Sequence, residues 1–220
     1  MAKTKLQRFA DIDKFDNVLE LTDFQDDDKS KPKGSWNDVI FGNDNPIILE
    51  LACGKGDYTV ELARRHPGRN YIGIDIKGSR LWKGARKARD EELRNVRFLR
   101  IYIDHLDEYF VEGEVDEIWI TFPDPYLRGA NRSKRLTSDK FLSIYRKLIK
   151  PSAPINLKTD SEELFNFSRL SVKKNGGRIL DEVEDIYNER EDDDFLTIKT
   201  DFEKMHLKQG RVIKYLKFSL

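Results

Sequence analysis

The sequence IWITFPDPYLRGANRSKR, residues Ile118–Arg135, marks both the centre of the expected sheet and its candidate site. Its first five residues are all β-branched or aromatic, and none of them is charged. This composition is typical of a buried central strand. Pro123 and Pro125 lack the N–H that a sheet ladder needs, so the strand must end before them. Each proline also restricts the residue that precedes it. Asp124 is therefore predicted to stand in a stiff loop just beyond the carboxyl end of a strand.

An aromatic ring and several cations follow this loop directly: Tyr126, Arg128, Arg132, Lys134 and Arg135. The whole chain has 40 basic and 40 acidic residues, but the two signs are segregated. Residues 125–150 carry eight basic residues and one acidic residue, whereas residues 181–194 carry nine acidic residues and one basic residue. Such segregation can produce a basic face that attracts nucleic acid. We call Arg128, Arg132, Lys134 and Arg135 the basic run. Its alternative interpretation is the solvent-exposed start of a charged helix.

From residue 46 onward, apolar runs alternate with amphipathic segments. Strands are predicted at residues 46–51, 70–75, 96–101, 118–122, 155–159, 178–187 and 211–218, and helices at residues 57–65, 78–93, 137–148 and 162–172. This alternation requires a mostly parallel sheet with right-handed crossovers. Residues 1–45 are polar and include the acidic cluster Asp26–Asp28. We expect them to form a loosely structured arm, either without function or covering a substrate.

Five successive predicted strands end in, or just before, a carboxylate. A single acid at such a place is often a helix cap. The carboxyl ends of parallel strands, however, meet at one edge of a sheet, where open α/β sheets bind their ligands. The five acids together therefore indicate a cleft, and they are Glu50, Asp75, Asp104, Asp124 and Asp160.

A tight loop, Ala52–Gly56, follows the first of these acids. Glycine allows the backbone to approach a ligand closely, but the spacing matches neither a phosphate-binding loop nor G-x-G-x-x-G. An acid at Glu50 also disfavours a dianionic pyrophosphate. Asp75 is placed to accept hydrogen bonds from ribose hydroxyls, and Asp104 from an adenine amino group. This set favours S-adenosylmethionine, which has a cationic centre, over NAD.

Five motifs occur in the order ELACGKG, YIGID, FPDP, LKTD and TDFE. In this order they resemble the motifs of the bacterial tRNA (guanine-N7)-methyltransferases, and the resemblance covers residues 46–220. FPDP and TDFE are more specific than the glycine loop, which many methyltransferases share. The resemblance implies a Rossmann-like class I methyltransferase fold: α/β, with a mostly parallel seven-stranded sheet and helices on both faces. It also implies methyl transfer from S-adenosylmethionine to N7 of guanine 46 in the variable loop of tRNA.

Roles follow from the resemblance for the residues at matching positions. Asp124 is the expected catalytic residue. Cofactor binding is expected of Glu50, Gly54, Gly56, Asp75, Asp104 and Asp124. Substrate binding is expected of Arg128, Asp160, Thr200, Asp201, Phe202 and Glu203. Contacts to RNA are expected from side-chain chemistry rather than from the resemblance: Tyr126 can stack on a base, and Arg132, Lys134 and Arg135 can hold phosphates.

The sequence also departs from the family pattern at Ala52, Tyr126, Ala130, Asn131 and Ser133. Ala52 stands where the family has a glycine, and Ala130 and Asn131 replace an arginine-histidine pair. Two alternatives stay open, and the substitutions at Ala52, Ala130 and Asn131 favour the first of them. One is an RNA-binding protein with a relic cofactor site. The other is a small-molecule methyltransferase, which would share the glycine loop but would not need the basic run.

The remaining features concern the setting of the protein. The sequence has one cysteine, which excludes an internal disulfide and fits a reducing compartment. No apolar run approaches the length of a membrane span or a signal peptide, and no spacing resembles a metal site. We therefore expect a cytoplasmic monomer or homodimer that acts on tRNA and needs neither a membrane nor a metal.

Overall fold

The computed structural model of the chain describes residues 4–12, 14–20 and 32–220. In these residues one eight-stranded sheet has the order β1-β4-β3-β2-β5-β6-β8-β7. Its strands are β1 (Val18–Glu20), β2 (Ile47–Leu51), β3 (Asn70–Ile74), β4 (Val96–Arg100), β5 (Glu117–Thr121), β6 (Ile155–Thr159), β7 (Arg178–Val183) and β8 (Lys214–Ser219). All neighbouring pairs among β1–β6 are parallel. Strand β8 runs antiparallel between β6 and β7.

The helices are α1 (Lys5–Ile12), α2 (Asp57–Arg65), α3 (Gly78–Asp90), α4 (Asp139–Leu148), α5 (Glu162–Lys174), α6 (Ile186–Glu189) and α7 (Asp201–Lys208). In α4, four apolar residues spaced at i, i+3, i+4 and i+7 form one face and are all buried: Phe141, Ile144, Tyr145 and Leu148. None of the helices in the described part of the chain is long and apolar enough to cross a membrane.

Helices cover both faces of the sheet. Strand β2 is entirely buried, as expected of a parallel strand between two helical layers. Because its side chains alternate, Ile47 and Leu49 join the apolar cluster that contains α4 and α5, whereas Ile48 joins the cluster that contains α2 and α3. The predicted fold class, a mostly parallel α/β sheet with helices on both faces, is thereby confirmed.

The sequence predicted seven strands, and the eighth is the short strand β1, which extends the sheet edge by pairing with β4. The predicted strand at residues 178–187 ends earlier, at Val183. Its continuation turns into α6, because the Asp185 side chain accepts a hydrogen bond from the Tyr187 N–H and caps that helix. The last strand begins at Lys214 rather than at residue 211.

The expectation of a loosely structured arm is wrong for the described part of residues 1–45. Helix α1 packs along α3, where the Trp82 Nε1 donates a hydrogen bond to Asp11 Oδ2 over 2.9 Å. Trp36 is fully buried, stacks on Phe110 with ring centroids 5.1 Å apart, and donates to the Tyr109 carbonyl. The acidic cluster at residues 26–28 lies outside the described residues.

Candidate active site

A cleft of about 610 Å³ opens at the carboxyl ends of the parallel strands. It lies where the strand order reverses, since β2 has β3 on one side and β5 on the other, which is where open α/β sheets bind ligands. Its volume is in the range of small-molecule pockets, about 300–1,000 Å³. Five of the predicted site residues line it: Asp75, Asp104, Asp124, Tyr126 and Lys134.

Asp75 follows β3 and joins the glycine loop to the neighbouring strand. The Gly54 N–H donates to Asp75 Oδ2 over 3.0 Å, and the Lys77 N–H donates to Oδ1 over 2.8 Å. These two bonds hold the carboxylate at the cleft wall. A carboxylate accepts about four hydrogen bonds, so both oxygens keep capacity for a ligand hydroxyl.

The expected contact of Gly54 and Gly56 with the cofactor stays a prediction; in the structure the Gly54 N–H donates to the Asp75 carboxylate, and Gly56 permits close packing of the loop. Gly56 has φ +68°, and a Cβ there would lie 2.5 Å from the Phe98 ring. The glycine is required because the loop crosses over Phe98 and against Gly84, whose own Cβ would meet the Lys55 carbonyl at 2.7 Å. The loop is thus shaped by close packing.

Glu50 is also behind the cleft rather than in it. It is 2% exposed, and it accepts hydrogen bonds from the N–H and hydroxyl of Thr59 and from the hydroxyl of Thr121. Burial raises the pKa of Glu50 to about 7, an effect that these donors only partly offset. Because Thr121 ends β5, Glu50 ties the glycine-loop strand to the strand that carries Asp124. We therefore reassign it from cofactor contact to support of the two strands.

The loop after β5 has an unusual backbone. Phe122 and Tyr126 have φ angles of +47° and +42°, a left-handed conformation that costs a side-chain-bearing residue about 1–3 kcal/mol. The wall of the cleft contains a third such residue, Ala52, with φ +58°. That angle explains why a glycine suits this position in the family pattern. The alanine keeps the turn at an energetic cost.

Arg135 stabilises the loop after β5, Phe122–Tyr126, through hydrogen bonds to its backbone. Its Nε donates to the Pro125 carbonyl over 2.8 Å and its terminal nitrogen to the Tyr126 carbonyl over 3.0 Å. It also pairs with Glu163, and its guanidinium lies 4.5 Å from the Phe167 ring centroid. The side chain is 1% exposed. The predicted contact of Arg135 with RNA is therefore corrected, because the guanidinium is buried and already binds two backbone carbonyls and Glu163.

Asp124 has the opposite environment. It is exposed and lines the cleft, and none of the described residues donates a hydrogen bond to its carboxylate. The prolines on both sides and the bonds from Arg135 fix the backbone that carries it. The result is an uncommitted negative charge held in place at the cleft.

Asp104 and a set of apolar side chains form the wall that follows β4. Asp104 forms an ion pair with Lys140 and is partly exposed. Tyr102, Ile103 and Phe141 line the same region. An apolar wall with one carboxylate acceptor fits a flat heterocycle that carries an amino group. Together with Asp75 and Asp124, the cleft fits a nucleoside with a cationic centre.

The basic run follows on the other side of the cleft. Residues Gly129–Lys134 form a short 3₁₀ helix. Arg128, Arg132 and Lys134 are exposed, and no carboxylate of a described residue lies within ion-pair distance of them. They are available to phosphates, and Tyr126 is half-buried at the cleft itself.

The TDFE motif opens α7. Thr200 caps this helix by accepting a hydrogen bond from the Glu203 N–H over 3.1 Å, so the motif is a T-x-x-E capping signature at sequence level. That signal predicts the helix, which the sequence analysis missed. Asp201 is exposed and lies 3.5 Å from the Lys55 ammonium, and Phe202 packs on the cleft residue Phe122 with ring centroids 5.5 Å apart.

Glu203 is fully buried, 3.0 Å from the equally buried ammonium of Lys158. It also accepts a hydrogen bond from the Tyr187 hydroxyl over 2.7 Å. The predicted substrate contact of Glu203 is therefore corrected to a structural ion pair. Asp160 is bonded to His206 and Arg211 over 2.7 and 2.6 Å. It does not line the cleft, and neither do Thr200, Asp201 and Phe202.

Sequence reasoning missed two cations at the cleft. Lys77 and Arg80 line it where the chain leaves β3 and enters α3. Their place directly after a strand-end acid was the available signal. No group of three or more His, Cys, Asp or Glu side chains within residues 4–12, 14–20 and 32–220 is arranged to hold a metal ion.

Comparison with known proteins gives a consistent result. A family model described as putative methyltransferase matches residues 44–216. A tRNA (guanine-N(7)-)-methyltransferase of Bacteroides thetaiotaomicron is 44% identical over 221 residues, which is 100% of this chain and 87% of that relative.

Solved structures share the fold at low sequence identity. The 16S rRNA methyltransferase KamB superposes with a TM-score of 0.65 at 15% identity, covering 85% of this chain and 93% of KamB. A 16S rRNA (adenine(1408)-N(1))-methyltransferase from Catenulisporales acidiphilia, solved with its cosubstrate SAM, gives 0.57 at 18% identity, covering 79% of this chain and 85% of that one.

Proposed function

Because the chain belongs to the tRNA (guanine-N(7)-)-methyltransferase family, it is an S-adenosylmethionine-dependent methyltransferase, and we propose that it methylates N7 of guanine 46 in the variable loop of tRNA. The observation that carries the proposal is the uncommitted Asp124 carboxylate at the cleft, beside a cofactor-sized pocket with two further acids. A relic site would not need a charge held so stiffly, and a small-molecule enzyme would not need the neighbouring cations.

Guanine N7 carries a lone pair in the plane of the ring, so no proton has to leave before it attacks. S-adenosylmethionine supplies an electrophilic methyl group on a sulfonium. As the bond from N7 to the methyl carbon forms, the bond from that carbon to sulfur breaks, and its electron pair stays on sulfur. Positive charge thereby moves from the sulfonium to the purine. The work left to the protein is alignment and electrostatic stabilisation.

Asp124 is suited to both tasks. Its carboxylate can accept hydrogen bonds from the N–H groups on the pairing edge of guanine and thereby orient the base. Its negative charge offsets the positive charge that develops on the purine. The two prolines and the hydrogen bonds from Arg135 hold the loop before the substrate arrives, so little reorganisation is needed.

The cofactor would lie between the ends of β3 and β4. Asp75 would accept from the ribose hydroxyls, and Asp104 from the adenine amino group. Tyr102 and Phe141 give the adenine ring an apolar wall. Glu50, Gly54 and Gly56 support this half of the cleft through packing and hydrogen bonds.

The tRNA would lie across the exposed run. Arg128, Arg132 and Lys134 would contact phosphates, and Tyr126 would stack on a base. Phe202, on the Phe122 side of the cleft, offers a second exposed aromatic surface. A monomeric or homodimeric state and a cytoplasmic location stay predictions.

The proposal is tested by transfer of labelled methyl from S-adenosylmethionine to an unmodified tRNA transcript, followed by nuclease digestion and nucleoside analysis. A matched transcript with adenine at position 46 is the control. We expect 7-methylguanosine in the first transcript and none in the second. Methylation that persists in the second transcript would contradict the assigned position, and absence of 7-methylguanosine from both would contradict the proposed function.

A further inference from the structure

We propose that a second surface for the tRNA backbone lies on α3, formed by Lys77, Arg80, Lys83 and Lys87, which we name the α3 cationic face. It would hold phosphates across the cleft from Arg128, Arg132 and Lys134. This inference rests on the proposed function, because it takes tRNA as the substrate.

The α3 cationic face is concentrated in sequence and in space. Residues 77–89 include six cations and no carboxylate: Lys77, Arg80, Lys83, Arg86, Lys87 and Arg89. At 3.6 residues per turn, Arg80, Lys83 and Lys87 point within about 60° of one another. The opposite side of the helix packs into the core through Leu81, Ala85 and Ala88. Arg80, Lys83 and Lys87 are therefore fixed on the solvent side, where all three are exposed.

Within residues 4–12, 14–20 and 32–220, the cations of the α3 cationic face have no carboxylate at ion-pair distance. Many surface cations of the chain have a carboxylate within 4.0 Å, among them Arg64, Arg65, Arg69, Arg100, Lys147, Lys150, Arg169 and Lys174. None of the four members of the face has such a partner among the described residues. The acid at the end of the helix, Asp90, lies 3.3 Å from Arg86 instead. Cations without a carboxylate partner can neutralise phosphates and thereby release the counterions of the nucleic acid, which contributes a large share of binding affinity.

The neighbouring helix strengthens this potential. Helix α1 packs along α3 and adds an exposed Lys5. The Asp11 carboxylate of α1 is engaged by the Trp82 Nε1. The side of the protein formed by α1 and α3 therefore presents a basic strip to solvent.

The position of the α3 cationic face relates it to the active site. Lys77 and Arg80 line the cleft where the chain leaves β3, whereas Ser133 and Lys134 line it beyond β5. An RNA strand whose guanine enters the cleft has backbone on both sides of that nucleotide. One side then meets residues 128–134 and the other meets α3, which extends about 10 Å from Arg80 to Lys87.

The test is a double substitution, Lys83→Gln with Lys87→Gln. Neither residue lines the cleft, and glutamine is a good helix former. The matched control is Lys173→Gln with Arg178→Gln, which also removes two exposed cations that have no ion-pair partner in the described part of the chain. These lie at the end of α5 and the start of β7, at the other edge of the sheet. Binding of unmodified tRNA is measured between 50 and 200 mM salt, together with S-adenosylmethionine affinity and thermal unfolding.

We expect the α3 variant to bind tRNA about tenfold more weakly at low salt and to lose up to about two units of salt slope. Cofactor affinity, thermal unfolding and the single-turnover methylation rate at saturating tRNA should be unchanged, and the control should match wild type. If wild type binds and methylates tRNA while the α3 variant behaves like the control, the inference is wrong and the proposed function stands. A wild-type protein that binds no tRNA would overturn both.

Discussion

The loop Phe122–Tyr126 presents a carboxylate to the cleft, whereas the segment Thr200–Glu203 buries one in the protein. Both motifs are more specific than the glycine loop, and both contain acids that sequence reasoning assigned to the site. Asp124 is exposed and receives no hydrogen bond from the described residues. Glu203 is fully buried against Lys158 and Tyr187. One acid is available to a ligand, and the other stabilises the fold around it.

This difference shows that the specificity of a motif does not say which of its residues contact the substrate. An uncommitted charge in a stiff loop points to electrostatics at the reacting atoms. A buried ion pair points to a structural requirement, because leaving one partner alone in the interior is costly. The two motifs should therefore respond differently to the same chemical change, the loss of one carboxylate charge.

The largest expected effect is on the buried motif. Glu203→Gln leaves the Lys158 ammonium without its charged partner, and we expect the free energy of unfolding to fall by about 3–5 kcal/mol. Asp124→Asn should change it by less than about 0.5 kcal/mol, since an exposed side chain is replaced by one of similar size. Urea unfolding of both variants measures the contrast. Equal stability of the two variants would remove the distinction between the motifs.

The second effect concerns Glu50, which supports the loop Phe122–Tyr126 from beneath the cleft. It is a change of stability with pH. Burial raises the pKa of Glu50 from 4.5 to about 7, so the folded state holds this proton more tightly than the unfolded state does. The contribution of Glu50 to stability is thus greatest below about pH 4.5 and falls as the pH rises to about 7. We expect the stability of wild type relative to Glu50→Gln to drop by about 3 kcal/mol across that window. Urea unfolding between pH 4.5 and 8 checks it, and parallel profiles would contradict the raised pKa.

The third effect distinguishes Arg135, which stabilises the loop Phe122–Tyr126, from Arg132, which is expected to contact RNA. Arg135→Gln removes the donors to two carbonyls of the cleft loop, and we expect a loss of about 1–3 kcal/mol in unfolding free energy. The salt slope of tRNA binding should stay the same. Arg132→Gln, at an exposed position with no ion-pair partner among the described residues, should do the reverse: it should leave stability alone and reduce the slope by about one unit. If Arg135→Gln lowered the slope without loss of stability, the earlier assignment to RNA would be correct.

The smallest effect concerns backbone strain at the cleft wall. Ala52 has φ +58°, which costs an alanine about 1–2 kcal/mol, partly offset by the greater freedom of glycine in the unfolded chain. We expect Ala52→Gly to stabilise the protein by up to about 1 kcal/mol in thermal unfolding. Ala85→Gly, inside α3, should destabilise it by about 1 kcal/mol. A loss of stability at both positions would show that the Ala52 backbone is not strained.

Much of this architecture could be predicted from the sequence. The alternation of apolar runs and amphipathic segments gave the order of β2 to β6 and of α2 to α5, because these periods follow directly from strand and helix geometry. The rule that parallel strand ends share one edge brought Asp75, Asp104 and Asp124 to one cleft. The topology of the sheet thus carries most of the information about where the site lies.

The direction of single side chains could not be predicted in the same way. Glu50 is the penultimate residue of β2. Its side chain lies in the layer beneath the cleft, where it contacts Thr59 and Thr121. Arg135 belongs to a run of cations, but the backbone turns after Lys134 and carries it inward. Neither outcome has a signature in residue spacing, because both depend on partners distant in sequence.

We propose that the Asp124 carboxylate promotes methyl transfer as a fixed negative charge. The direct measurement is single-turnover methylation by Asp124→Asn with tRNA and cofactor both saturating, which separates chemistry from binding. The change keeps the size of the side chain, removes its charge and converts one acceptor into a donor. For Asp124→Asn we expect a rate lower than wild type by about a hundredfold or more, in a protein whose unfolding free energy is nearly unchanged. Methyl transfer at the wild-type rate under these conditions would contradict it.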